Sequence, residues 1–532
     1  MTSGGLHVEV ADDAAATAAE QARDTQIADD LPARLIARDA TLWGPEAEDE
    51  AAIRLGWLDT FRRSRELLPR LAALHSELAD EELDHVVLAG MGGSSLAPEV
   101  ICQSAGVDLT VLDTTDPGQV RAALADRLQR TVVVVSSKSG GTVETDSHRR
   151  AYLQAFVDSG LSEADAGRRF VIVTDPGSPF VETAEQMGAR EIFLADPDVG
   201  GRYSALTAFG LVPSALAGAD VENLLDDAET LAGQLGADNP ALLLGCLLGS
   251  QATAGRDKLL LADNDSGITG LGDWAEQLIA ESTGKHARGI LPVVVQSARA
   301  FDGVGPDALT VLSGRPAGGG EAAAVAGPLG AQFLGWEYAT AVAGRIIGIN
   351  PFDQPNVTES KNNTKKLLDA GLPEVSPAAT FGAVEVYADP ALLGSAGSLS
   401  DVLDAVVAAI PEHGYLAIMA YLDRWADASA ADLRDLLARG TQRPVTFGWG
   451  PRFLHSTGQF HKGGPPVGAF LQITGAIAED LAIPGQDYTF AGLQAAQAAG
   501  DLQALTGREL PAFRLHLTDR AAGLGQLLGA GE

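Results

Sequence analysis

Cysteine is nearly absent. Cys102 and Cys246 are the two in 532 residues, and each lies in an apolar, helix-like stretch. That excludes a disulfide framework and reads as two reduced core residues of a cytoplasmic protein. Basic residues are also scarce: 37 lysines and arginines against 71 acidic residues leave a formal charge of −34. Such a balance excludes nucleic acid and anionic membrane as main partners. It also makes any lysine or arginine inside a glycine-rich loop informative. No basic segment followed by an apolar one opens the chain, so no secretory signal is expected. The most apolar run, Ala241 to Leu248, is too short to span a bilayer and predicts a buried helix.

What remains is a chain that is 46% hydrophobic, with ample core for two to four domains. Residues 1 to about 30, acidic and alanine-rich, predict a poorly ordered arm. From Leu31 to Asp80 the apolar spacing is helical. Together these form an arm and helical preface over 1–80. Strands are then expected at His85–Ala89, Leu109–Leu112, Val132–Val135, Phe170–Val173 and Glu191–Leu194, with helices between them. Short apolar strands alternating with helices mean a parallel sheet covered on both faces. This first unit runs over 81–235. A second, over 236–480, has strand candidates at Lys258–Leu261, Leu291–Val295, Leu309–Leu312, Phe381–Val386, Leu416–Met419 and Val445–Phe447. Residues 481–532 are left as a carboxyl-terminal extension. The fold class is α/β.

Ligands of such sheets sit at the carboxyl ends of strands, where the glycine and hydroxyl clusters fall. Val132–Val135 stops at Ser137, Lys138, Ser139, Gly140, Gly141 and Thr142, followed by a helix. Small hydroxyls, free first-turn amides and the helix dipole favour an anion there; an ordinary turn capped by Ser139 and Thr142 fits the same residues. The loop lacks the spacing of a nucleotide P-loop, which favours a monophosphate. After the first strand, Gly92 and Gly93 permit close backbone approach, and Ser94 can touch an anion. Gly200 and Gly201 precede Arg202, which is either a cation aimed into a cleft or a surface ion pair. Glu281 ends an apolar turn before Ser282, Thr283 and Gly284. Partial desolvation there would suit a general base, while pairing with Lys285 at i+4 is the plain alternative. Lys361 follows a turn at Phe352–Gln354. His455 and His461, two of nine histidines, share one glycine-rich loop. Neither a cysteine nor a third histidine lies near them, so no metal is expected.

Taken together these stretches resemble the phosphoglucose isomerase family. Val-Gly-Gly-Arg-Tyr-Ser (199–204) resembles its first signature and Phe-Asp-Gln-x-x-Val-x-x-x-Lys (352–361) its second. Gly-Gly-Ser-Ser-Leu-Ala-Pro (92–98) and Ser-Lys-Ser-Gly-x-Thr-x-Glu-Thr (137–145) are similar to sugar-isomerase (SIS) phosphate loops. Glu-Ser-x-Gly-Lys (281–285) resembles the catalytic glutamate motif. The resemblance implies two SIS subdomains, each a parallel sheet flanked by helices, and interconversion of glucose 6-phosphate and fructose 6-phosphate without a cofactor. It implies Glu281 as the base acting through a cis-enediolate, Arg202 as the cation stabilising that charge, and Lys361 near the ring oxygen. Ser94, Ser137, Ser139 and Thr142 would hold the phosphate, Gly93 and Lys138 would also bind the substrate, and Gln277 and Gln354 would line the sugar site. A homodimer is also implied.

Three departures stand out. Gly141 replaces a threonine of the phosphate loop, so one hydroxyl is missing. Asn356 and Thr358 replace a glycine and a glutamate of the second signature. The ring-opening histidine is missing between the glutamate and Phe-Asp-Gln motifs, whereas Leu-His-Ser-Thr-Gly-Gln-Phe (454–460) resembles the family's histidine segment displaced past the lysine. His455 is therefore the expected ring-opening group, with His461 the second choice. The order resembles the isomerase half of fused transaldolase/phosphoglucose isomerases, but about 80 residues ahead of the first strand are too few for a transaldolase barrel. A non-catalytic SIS sugar-phosphate sensor and an isomerase that also accepts mannose 6-phosphate are the alternatives.

Overall fold

Valine-rich strands and the helices between them assemble into three helix-flanked sheets in the computed structural model, which describes residues 1–373 and 375–531; the side chains of Val357 and Thr358 lie outside the described set. The first sheet is all parallel. Its strands run in the order Thr110–Leu112, His85–Gly90, Thr131–Ser136, Phe170–Thr174, Glu191–Leu194. Alternate residues serve opposite faces: Val86, Leu88, Val132 and Val134 enter one core, and Val87, Val133 and Val135 another. Burial on both faces is why these strands read as continuous apolar runs.

The second sheet carries four parallel strands, Ala323–Ala326, Ala308–Gly314, Lys258–Asn264 and Leu291–Val295. Leu6–Val10 pairs antiparallel to Ala323–Ala326, and the short strand Thr2–Ser3 beyond it forms the edge. The third sheet has the order Ala379–Phe381, Val384–Tyr387, Ala512–Leu517, Gly468–Gly475, Tyr415–Tyr421, Val445–Trp449, its last four strands parallel. A shared core joins the second and third sheets, with Leu260, Val293 and Leu312 from one and Tyr415, Met419 and Phe470 from the other. The carboxyl ends of strands from all three sheets carry the loops described below.

Four expectations change. The first 30 residues are an ordered strand and helix rather than a loose arm. Leu6 and Val8 alternate with polar neighbours and are fully buried, and the Asp13–Ala28 helix is capped by Asp12, which accepts from the amides of Ala14 and Ala15. Net acidity masked that alternation. Parallel helix-flanked sheets are present as expected, but the strands of 236–480 divide between two sheets. The break falls after the long Leu329–Ile347 helix, where the chain leaves the second sheet. Phe381–Val386 is two strands, because Gly382 with φ +58° starts a two-residue hairpin turn between Phe381 and Val384. Finally, the tail is no appendage: Ala512–Leu517 lies between two other strands of the third sheet.

Leu6 tests the ordered amino terminus. Leu6→Ala should cost roughly 2–5 kcal/mol, read as a lowered denaturation midpoint; a loose arm would give no shift.

Candidate active site

Arg202 is the centre of the assembly. It follows Gly200 and Gly201 in a short 3₁₀ turn and is only 3% exposed. Its Nε donates to Ser282 Oγ at 2.9 Å, and Nη2 donates to the carbonyls of Pro351 and Asp353, each at 2.9 Å. Nη1 donates to Gln354 Oε1 and lies 3.6 Å from Glu281 Oε2. One guanidinium thus joins the Arg202 loop to the Glu281 helix and to the Phe352–Gln354 turn. Lys285 anchors the same turn: its fully buried Nζ donates to Asn350 O, Asp353 O and Asp353 Oδ1, each at 2.6 Å. Burial, with Arg202 nearby, pushes the Lys285 ammonium down to about 8. Lys285 therefore serves the turn rather than pairing with Glu281.

Glu281 lies in the last turn of the Leu271–Thr283 helix, 8% exposed. Burial pushes its carboxyl up, and Arg202, His455, Lys285 and Lys361 offset that only in part. The negative end of its own helix works in the same direction as burial. One turn earlier, Gln277 Nε2 donates to the His455 carbonyl at 2.7 Å and sits 3.4 Å from Glu281 Oε2. Gln277 Oε1 is buried with no partner among the described residues.

The glycine–serine loop closes on this group. A Cβ on Gly92, whose φ is +55°, would lie 2.6 Å from Gln277 Nε2 and 2.8 Å from His455 O. One on Gly93 would lie 2.0 Å from Gly201 O. Only glycine lets the first strand end approach both the Glu281 helix and the Arg202 loop. Ser94, next in the chain, is half-buried.

In the phosphate-type loop, the Ser137 and Thr142 hydroxyls are 3.1 Å apart and Ser139 is exposed. The Gly141 amide donates to Ser139 Oγ at 3.3 Å. Lys138 differs from expectation. Its ammonium is paired with Asp175 at the end of the adjacent strand, so its charge is taken up by the scaffold.

His455 arrives from the third sheet, just after the Val445–Trp449 strand. Its Nε2 is 3.2 Å from Glu144 Oε1. Glu144 is buried in the first turn of the helix that follows the phosphate-type loop. Burial alone would push its carboxyl up, but His455 and Lys361 outweigh this and hold it at about 2. A cavity of about 380 Å³ opens here, lined by Thr142, Glu144, Lys361, His455 and Gln497 among others. Lys361 is exposed at its rim on the Val357–Ala370 helix. His461 points elsewhere: Tyr415 Oη lies 2.9 Å from its Nδ1, and burial pushes its imidazole down to about 3. It packs in the core between Tyr415 and Phe470 and does not line the cavity that His455 lines.

Two partners were not singled out from the residues. Glu144 stood in the loop motif without a role, since a first-turn glutamate reads as helix capping. Gln497 lies on the Phe490–Thr506 helix, assigned to the extension. Its signal was available: Gln494, Gln497 and Asp501 share one face of an alanine-rich helix, and all three are buried.

Helix-flanked parallel sheets that present glycine and hydroxyl loops at their strand ends define the class, an α/β protein. Two solved structures show the same fold. A hypothetical protein from Thermus thermophilus superposes with TM-score 0.58 at 24% identity, covering 69% of this chain and all of its own. A glucose-6-phosphate isomerase from Chlamydia trachomatis gives 0.54 at 19%, covering 70% of this chain and 90% of its own. The phosphoglucose isomerase family model matches residues 65–289. Glucose-6-phosphate isomerases of Thermosynechococcus vestitus and Gloeothece citriformis are 37% identical to this chain over 216 residues and 30% over 261. These matches take in 38% and 46% of this chain, and span 40% and 48% of the relatives, less than half of each. Among the described residues no helix is long and apolar enough to cross a membrane.

The glycine contact gives a direct check. Gly93→Ala must push the first loop off the Arg202 loop, at a cost of about 1–3 kcal/mol and with loss of inorganic phosphate binding by titration calorimetry. Gly201→Ala, whose Cβ would meet nothing within 4 Å, should leave both unchanged.

Proposed function

We propose that the chain is a glucose-6-phosphate isomerase, interconverting glucose 6-phosphate and fructose 6-phosphate. The observation that carries this is the desolvated carboxylate of Glu281, 3.6 Å from a guanidinium whose other donors are all occupied. A buried base beside a fixed cation suits removal of a proton next to a carbonyl. The base keeps its affinity for the proton, and the cation meets the oxygen charge that develops.

In this reading Ser137, Ser139, Thr142 and Ser94 hold the phosphate, and binding energy at that end places C1 and C2 against Glu281. His455 opens the ring. With Nε2 directed to Glu144, Nδ1 is the ring nitrogen left for the substrate, and it passes a proton to the ring oxygen as the C1–O bond to that oxygen breaks and the C1 hydroxyl gives its proton to water. Lys361 at the rim steadies the same oxygen. Glu281 then takes the C2 proton, leaving an enediolate whose charge faces Arg202. Glu281, its proton free to exchange with solvent, then protonates C1 as the O2 hydroxyl proton passes to O1, which completes the ketose. Gln277 and Gln354 orient the sugar hydroxyls.

A non-catalytic sugar-phosphate sensor would need the loops but not this convergence of base, cation and histidine. The family resemblance implies a homodimer. His455 here reaches Glu144 within one chain, so a partner need not supply it, and specific activity should not fall on dilution.

The deciding experiment is a coupled assay for glucose 6-phosphate formed from fructose 6-phosphate with a chelator present. Turnover is expected; its absence with correctly folded protein would overturn the reading. Glu281→Gln should lower kcat by about 10²–10⁴-fold with little change in KM. Because Glu281 works deprotonated and burial raises its proton affinity, activity should be lost on acidification above the ordinary carboxylate range. An acid limb within that range would contradict the assignment.

A further inference from the structure

The helix Phe490–Thr506 sits behind the cavity and touches the chemistry through one side chain. Gln497, 3% exposed, donates from Nε2 to Glu144 Oε1 at 2.7 Å. Its own Oε1 accepts from the Thr115 hydroxyl, also at 2.7 Å. Thr115 is fully buried in the loop after the edge strand of the first sheet. These bonds form one line: Thr115 to Gln497, Gln497 to Glu144, Glu144 to His455.

We infer that Gln497 is a positioning residue for ring opening, holding Glu144 against His455, with Thr115 setting which way its amide faces. The inference rests on the isomerase reading for the step it serves, but not for the geometry. A hydroxyl that donates to the amide oxygen turns the NH₂ group towards Glu144. Glu144 Oε1 then takes one bond from the glutamine and faces His455 Nε2. Without the glutamine donor, a buried carboxylate loses a charge-assisted partner and has reason to leave the histidine for water. The same helix face offers an internal control. Gln494, one turn earlier, also bonds a carboxylate, but that of Asp116, at 3.4 Å. Asp116 serves Arg520 and a helix cap rather than the cavity.

The test compares Gln497→Met, Thr115→Val and Gln494→Met on two substrates: glucose 6-phosphate, which is cyclic in solution, and an analogue blocked in the open-chain form. Gln497→Met should lower kcat/KM at least about tenfold on the cyclic sugar and leave the open-chain analogue nearly unchanged. Thr115→Val should give a smaller effect of the same kind, and Gln494→Met no change in the ratio of the two. An unchanged ratio in Gln497→Met, or an equal change in Gln494→Met, overturns the inference, since a merely structural helix would affect both substrates alike. If wild-type protein turns over neither substrate, the isomerase reading fails instead. The line of bonds is then judged from ¹⁵N spectra of labelled histidine, where Gln497→Met must move the His455 ring signals and Gln494→Met must not. Unmoved signals would overturn the inference independently of turnover.

Discussion

A guanidinium stripped of water governs this structure. Arg202 can remain charged at 3% exposure because its donors are matched by Ser282, Pro351, Asp353, Gln354 and Glu281. An unmatched charge at that depth would cost several kcal/mol. Those partners come from the end of the Glu281 helix and the turn after Leu329–Ile347, so satisfying Arg202 fixes the two segments relative to each other. Gly93, pressed on Gly201, fixes the first sheet to both.

The three sheets divide the work at the meeting point of their strand ends. The first supplies the glycine and hydroxyl loops and Glu144, the second the Glu281 helix, and the third His455 and the helix that carries Gln497. A second buried ion pair repeats the theme on the far wall, where Lys462 Nζ meets Asp501 Oδ1 at 2.6 Å, one helical turn past Gln497. Buried charge is thus used repeatedly to lock loops that side-chain packing alone would leave adjustable. The price is desolvation, and hydrophobic cores shared between sheets offset it.

Legibility followed periodicity. Doubly buried strands such as Val132–Val135 announce themselves as apolar runs, and the first sheet could be read almost strand by strand. Leu6–Val10 escaped because acidic neighbours dominate a composition-based view of the first 30 residues. The division of the later strands into two sheets could not be read at all, since alternation reports which residues are buried and not which strands pair. Among the candidate residues, Arg202, Glu281 and His455 stood out because glycine and hydroxyl neighbours are unusual around charge, and the structure brings them together. Lys138 stood out for the same reason, yet its charge goes to Asp175, a partner 37 residues away that no local pattern signals. Glu144 and Gln497 drew no notice because their meaning lies in a contact across 353 residues of chain.

The account depends most on Glu281 moving a proton between neighbouring carbons. The most direct measurement is proton NMR of fructose 6-phosphate converted in D₂O. Wild-type protein should yield glucose 6-phosphate carrying deuterium at C2, and Glu281→Gln should yield neither product nor exchange at C1 of the ketose. Product and deuterium formed by Glu281→Gln at the wild-type rate would contradict the account.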